Sequence, residues 1–228
     1  MNEEIIDAAP TTPIDKAEES NTNPITFLSI ILSCFPALVI LMAIASFLWI
    51  CFSPGIFSVL AFLFTIYIFP LLVYRVHNAV YPLKEGVSYL GGKGYSPWWG
   101  SHQIQVIYIA FPTLEVVLRL IPGAFSLWLR LWGAKVGKNV YWTPQFEIAD
   151  RGLIEIGDRV VFGHGVGIYP HIIKPRKENL MLYVKKVKIG SNVFLGAWNH
   201  IGPGVAIEEG TYLPVFTHIY PNKNFSQT

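Results

Sequence analysis

Two kinds of hydrophobic pattern divide the chain. From Ser20 to Tyr74 no residue carries a charge, and apolar residues fill 25–52 and most of 56–79. A membrane span needs about 20 consecutive apolar residues, so each run is long enough to cross a bilayer. Ser53-Pro54-Gly55 lies between them and is a turn signal. The pattern predicts a transmembrane α-helical hairpin over 24–80. Pro36 and Pro70 should kink or end helices, because proline lacks the N–H that a helix interior uses. Residues 95–132 follow a third pattern. Tyr95, Trp98 and Trp99 form an aromatic cluster suited to a membrane surface. The run His102–Trp132 is apolar but broken by Pro112 and by Pro122-Gly123, so its pieces are each too short to span. Interfacial or re-entrant helices are expected over 81–132, with one distorted third span as the alternative; that alternative would put the C-terminal part outside.

After Trp132 the spacing changes to six. Ile156-Gly157, Phe162-Gly163 and Ile168-Tyr169 recur at that interval, as do Ile189-Gly190, Leu195-Gly196, Ile201-Gly202, Ile207-Glu208 and Leu213-Pro214. Val136-Gly137, Trp142 and Ile148 give a weaker earlier set. Apolar residues six apart do not form the three-and-four stripe of an amphipathic helix. A hexad repeat instead describes a triangular coil of short parallel strands, three hexads to a coil. The apolar residue points inward, and the small residue after it keeps a side chain from crowding the backbone. Stacked coils then bury one continuous core. The spacing is lost over 172–186.

Composition agrees with this division. Hydrophobic residues make up 52% of the 228 residues and charged residues only 14%, against about 25% charged in soluble domains. Such a chain cannot cover itself with polar groups, so contact with a lipid bilayer is expected. Residues 1–23 carry six acids and one base with several Pro, Thr, Asn and Ser, the composition of a disordered tail. Two cysteines, Cys34 and Cys51, exclude a disulfide framework, and a net charge of +2 argues against a nucleic-acid partner. Lys16 precedes the first run, Arg75, Lys84 and Lys93 follow the second, and the turn between has no base. Both ends are therefore expected on the cytoplasmic side.

From 133 to 222 the sequence resembles the hexapeptide-repeat acyltransferases, a family built on a left-handed parallel β-helix. The likeness is carried by GVGIYPHIIKPRKENLMLYVKKVKIGSNVFLGAWNHIGPGVAIEEGTYL. That stretch is similar to maltose, galactoside and colanic-acid O-acetyltransferases and to membrane-embedded terminal domains of some peptide synthetases. The resemblance implies a β-helix domain at 133–228, a homotrimer with sites between subunits, and acyl transfer from an acyl-CoA such as acetyl-CoA. With the hairpin, it implies an integral protein of a bacterial inner membrane and a lipid-linked or amphipathic acceptor. In the family a His ends one coil, a loop leaves the helix, and the chain re-enters on an IG-x-N motif. Here these match His171, residues 172–186 and VKIGSNVFLG.

The family reaction needs a neutral imidazole to take the acceptor's proton. His171 matches that base by position, or else caps a corner. His164 stands two residues after the inward Phe162 and is the second candidate, as base or acceptor ligand. Asp150 would orient the His or bind an acceptor hydroxyl. Lys174, Arg176 and Lys186, in a basic loop that also holds Lys177 against Glu178, would pair with the phosphates of the donor, or form a solvated loop. The corner Gly196-Ala197-Trp198 would line the donor groove. No metal is expected. The carbonic anhydrases on the same coil need three His ligands, and Ser191 and Ala197 stand at the matching positions. A non-enzymatic scaffold in a membrane complex, or such a zinc enzyme, are the alternative functions.

Overall fold

The computed structural model describes residues 26–91, 94–176 and 179–226; the acidic tail expected at 1–23 lies outside them. The chain forms two compact units. Among the described residues, one comprises 26–83 with 94–111 and the other 84–91 with 112–226.

The first unit holds α1 (Phe27–Ser33), α2 (Phe35–Phe52), α3 (Ile56–Leu63) and α4 (Phe69–Val80), with a π-helical stretch Phe64–Ile68 between the last two. They make up two helical runs, Phe27–Phe52 and Ile56–Val80, of 26 and 25 residues, each long and apolar enough to cross a membrane. Pro36 stands in the first turn of α2, where the missing N–H is not needed. Ser58 closes the turn between the runs, its hydroxyl donating to the carbonyls of Ser53 and Gly55 at 3.2 and 2.8 Å. Pro70, at the start of α4, cannot donate to the Ile66 carbonyl four residues back. The Tyr108 hydroxyl of α5 (Pro97–Ala110) takes that role at 2.6 Å. Helix α5 comes close at Gly100, where a Cβ would lie 1.7 Å from the Tyr95 Oη and 2.6 Å from the His77 Nε2. Ser96 caps α5, and Trp98, read from sequence as a surface aromatic, is buried within this unit.

The second unit opens with β1 (Gly86–Tyr89), then α6 (Thr113–Arg119) and α7 (Ala124–Leu131). The helix breaks thus fall at Pro112 and at Pro122-Gly123, as the sequence indicated, while 86–89 is a strand within the stretch expected to be helical. Among the described residues, twelve short strands, β2 (Lys135–Val136), β3 (Glu147–Ile148), β4 (Ile154–Ile156), β5 (Val161–Phe162), β6 (Gly167–Ile168), β9 (Val187–Ile189), β10 (Phe194–Leu195), β11 (His200–Ile201), β12 (Ala206–Ile207), β13 (Tyr212–Leu213), β14 (His218–Ile219) and β15 (Asn224–Phe225), form three parallel sheets, and the longer β7 (His171–Arg176) pairs outside them with β8 (Asn179–Val184). The sheets run β2-β4-β9-β12-β15, β5-β10-β13 and β3-β6-β11-β14.

Register gives the coil length directly. Phe194 pairs with Tyr212, His200 with His218 and Lys188 with Ala206, each eighteen residues on. Three hexads therefore make one coil. In the first coil Lys135 pairs with Glu155 and Glu147 with Gly167, twenty residues on, because Gly152-Leu153 adds two residues after Asp150-Arg151. The inward residues Phe162, Leu195 and Leu213 of one sheet and Ile168 and Ile201 of another are fully buried. The glycine that follows Phe162, Leu195 and Ile201 is explained by stacking. A Cβ on Gly163 or Gly196 would lie 2.7 Å from backbone atoms of the next coil, which cannot move aside.

Helix α7 covers the open end of the first coil. Trp142 donates to Ser126 at 2.9 Å, and Arg130 reaches the carbonyls of Val136 and Gly137 at 2.8 and 2.7 Å. This satisfies strand-edge groups that would otherwise invite pairing with another chain. Within 172–186, expected as a loop, the described residues hold most of an antiparallel pair, β7 with β8, and β1 adds to its far edge to give the order β1-β8-β7. Lys177 and Glu178 lie outside the described residues.

Candidate active site

His171 opens β7, directly after the corner that ends β6. Its Nδ1 lies 2.5 Å from the Asp150 Oδ2. The His side chain keeps 16% of its surface exposed, whereas that of Asp150 keeps 1%. A buried carboxylate so placed accepts the Nδ1 proton, fixes the ring's orientation and stabilises the imidazolium when the ring gains a second proton. The neutral ring then carries its lone pair on Nε2. The bond between the two side chains is the contact that the orienting role read for Asp150 requires.

Behind this pair lies a network that the sequence did not disclose. Arg151, next to Asp150 and 1% exposed, sends Nε and Nη2 to the two carboxylate oxygens of Glu115 in α6 at 2.6 and 3.0 Å. Trp128 of α7 donates to the same carboxylate at 2.8 Å. Arg119 approaches it at 3.5 Å, donates to the Pro144 carbonyl at 2.5 Å and lies 4.5 Å from the Phe125 ring. Burial pushes the Arg119 guanidinium down to about 10, opposed by Glu115 and reinforced by Arg151. The two-residue slip in the hexads between Ile148 and Ile156 marked this corner, but nothing in the pattern named its partners.

His164 lies at another corner, between β5 and β6. Its ring meets that of Trp198 edge-on, with centroids 5.3 Å apart, and its carbonyl accepts from the Trp198 N–H at 2.7 Å. Trp198 has φ +59°, a left-handed conformation uncommon for a bulky residue. Other corners place Asn139, Arg159, Asn192, Asn222 and several glycines in the same conformation, and Phe216, one coil on from Trp198, has φ +59° as well. Its indole lies over Gly165, where a Cβ would come within 2.4 Å of the ring. The structure thus brings His171 to Asp150 and His164 to Trp198, at opposite ends of β6.

The remaining candidates are more dispersed. Lys174 and Arg176 alternate with His171 along β7, which places them on its other face. The Lys186 ammonium bonds Glu155 at 3.0 Å, and Lys135 does the same; these bonds hold the Glu155 carboxyl below its ordinary value. Lys186 is therefore engaged in an ion pair. Gly196 is buried and its N–H is taken by the Leu213 carbonyl at 2.8 Å, while the Ala197 carbonyl accepts from Phe216 at 2.9 Å. Gly196 and Ala197 shape the corner. On the β3-β6-β11-β14 face, His200 and His218 meet with Nδ1 atoms 3.1 Å apart. Tyr169 beside His200 donates to Glu147 at 2.9 Å, and burial, with that bond, raises its phenol above the ordinary value. Among the described residues no group of three or more His, Cys, Asp or Glu is placed to hold a metal ion.

No family model matches the chain, and no curated protein matches it. Among solved structures it is similar to a hexapeptide-repeat acetyltransferase of Vibrio cholerae complexed with acetyl coenzyme A, at 17% identity over 54% of this chain and 84% of that one, with a TM-score of 0.37. It is also similar to a galactoside acetyltransferase in complex with coenzyme A, at 19% identity, 51% and 74% coverage and a TM-score of 0.37. A maltose O-acetyltransferase from Clostridium difficile gives 16% identity, 51% and 79% coverage and a TM-score of 0.24. These likenesses span about half of the chain. The geometry above stands independently of them.

Proposed function

We propose that this chain is a membrane-anchored acyltransferase that moves an acetyl or other acyl group from the thioester of an acyl-CoA to a hydroxyl or amine of a lipid-linked or amphipathic acceptor. The observation that carries this reading is the His171–Asp150 pair at the start of β7. The acceptor's oxygen or nitrogen attacks the thioester carbon while His171 Nε2 takes its proton. The tetrahedral intermediate collapses, the C–S bond breaks, and the coenzyme A thiolate leaves and receives the proton from the imidazolium. Asp150 stabilises that imidazolium during the step. No metal takes part.

Other residues take supporting roles in this reading. Trp198, held edge-on to His164 and lying over Gly165, would cover the donor's extended arm. Lys174 and Arg176 would meet its phosphates as charge-assisted partners. A homotrimer is supported by the outer face of the β5-β10-β13 sheet, where Tyr141, Phe194 and Tyr212 are exposed in one column. An apolar face of that kind invites a second copy of the chain. The two apolar helices support an anchor in a bacterial inner membrane with both ends cytoplasmic, where acyl-CoA is found.

Two experiments test this reading. In a chain whose Cys34 and Cys51 are replaced by alanine, Pro54→Cys should react with an impermeant thiol reagent from outside the cell only; reaction from the cytoplasmic side alone would overturn the hairpin. Purified protein given acetyl-CoA labelled in the acetyl group, with a membrane lipid extract, should move label into the lipid fraction. Label that stays on the donor with every extract would contradict the acceptor class.

A further inference from the structure

We propose that Glu115, acting through Arg151, is a positioning residue for the His171–Asp150 pair; this rests on the reading of His171 as the base. Asp150 and Arg151 are consecutive and both fully buried. They occupy the corner between β3 and β4, where the first coil is two residues longer than three hexads. Asp150 reaches forward to His171 at 2.5 Å. Arg151 reaches back to α6, where both carboxylate oxygens of Glu115 hold its guanidinium at 2.6 and 3.0 Å. Beyond that fork, the corner is held by the Ala149 N–H on the Ile168 carbonyl at 3.2 Å and the Leu153 N–H on the Asp150 carbonyl at 3.1 Å.

The fork is rigid because a planar guanidinium bonded at two points cannot turn. Glu115 is itself fixed by the Trp128 indole at 2.8 Å. The backbone that presents Asp150 is thus clamped from one side, while Asp150 acts on the imidazole from the other. Stability alone gives no reason for this arrangement. Burying an ion pair desolvates two charges, and apolar residues of similar volume usually replace such pairs without loss. Phe125, Trp128, Trp132 and Trp142 already supply apolar packing where α7 meets the first coil. What the charged pair adds is direction, within one residue of the carboxylate that orients the base.

The test is the variant Glu115→Gln/Arg151→Met. It removes one charge of each sign and leaves the glutamine oxygen to accept from Trp128. The full-length protein in detergent is followed by thermal unfolding, by kcat and KM for acetyl-CoA, and by the proton resonance of the His171 Nδ1–H. A short bond to Asp150 moves that resonance far downfield, and His171→Gln assigns it. The double variant should unfold within about 5 °C of wild type. Its kcat should fall about a hundredfold, as expected when a catalytic group is displaced by about an ångström, with KM unchanged within about threefold. The downfield resonance should be lost. Arg151→Lys, which keeps the charge without the fork, should give the same kcat loss and decides the matter if the double variant does not fold. A folded variant with the resonance intact and wild-type kcat would overturn the proposal. A wild type that shows the resonance but releases no thiol from acetyl-CoA would sink the acyltransfer reading, and the resonance would still report on positioning.

Discussion

His171→Ala should lose about two to four orders of magnitude in kcat, the usual contribution of a positioned general base, while its thermal unfolding stays near that of wild type. The residue opens β7 and does not fill the coil, so its loss leaves no core cavity. Its Nδ1 bonds a buried carboxylate at 2.5 Å, and removing the ring leaves Asp150 without that partner, which limits how neutral the change can be. His164→Ala should cost far less. That imidazole is exposed and packs edge-on against Trp198, so its removal should act chiefly through KM for the donor. Steady-state kinetics of both variants in one assay separate the roles. Near-normal turnover in His171→Ala beside an inactive His164→Ala would transfer the base to His164.

Phe162→Ala should lower stability by about 3–5 kcal/mol, the range for deleting a buried aromatic side chain. The ring is fully buried. It stacks on Trp142 at 4.7 Å with planes 5° apart and meets Phe146 at 4.9 Å. Each coil contributes one inward residue per face, so the gap falls between two stacked coils that cannot collapse onto each other, since Gly163 already brings backbone to backbone. The thermal midpoint should fall by about 10 °C or more. A midpoint within a degree or two of wild type would contradict the stacked-coil account of the core.

The hexad core was legible because its physics is local. One inward residue and one glycine in six are set by coil geometry, and Phe162, Leu195 and Ile201 stand where the spacing puts them. The helical runs were legible for the same reason, since length and lack of charge decide them. The His171–Asp150 pair was half legible: its members could be named, but that they meet depends on the fold, since they stand twenty-one residues apart. The strand at 86–89 escaped detection because its partner, β8, lies ninety-odd residues away. Such long-range pairing leaves no periodic trace in four residues. Glu115 and Arg151 escaped likewise, since the slip at Gly152-Leu153 marks a corner without naming what holds it. The packing of Trp198 on His164 likewise joins residues thirty-four apart and leaves no periodic trace.

Acyl transfer driven by His171 needs no metal. Release of coenzyme A thiol from acetyl-CoA, followed in the presence of a membrane extract before and after treatment with a chelator, tests it most directly. The wild type should release thiol at the same rate in both conditions, and His171→Ala should release about a hundredth or less of it. Activity abolished by the chelator and restored by zinc would contradict the mechanism.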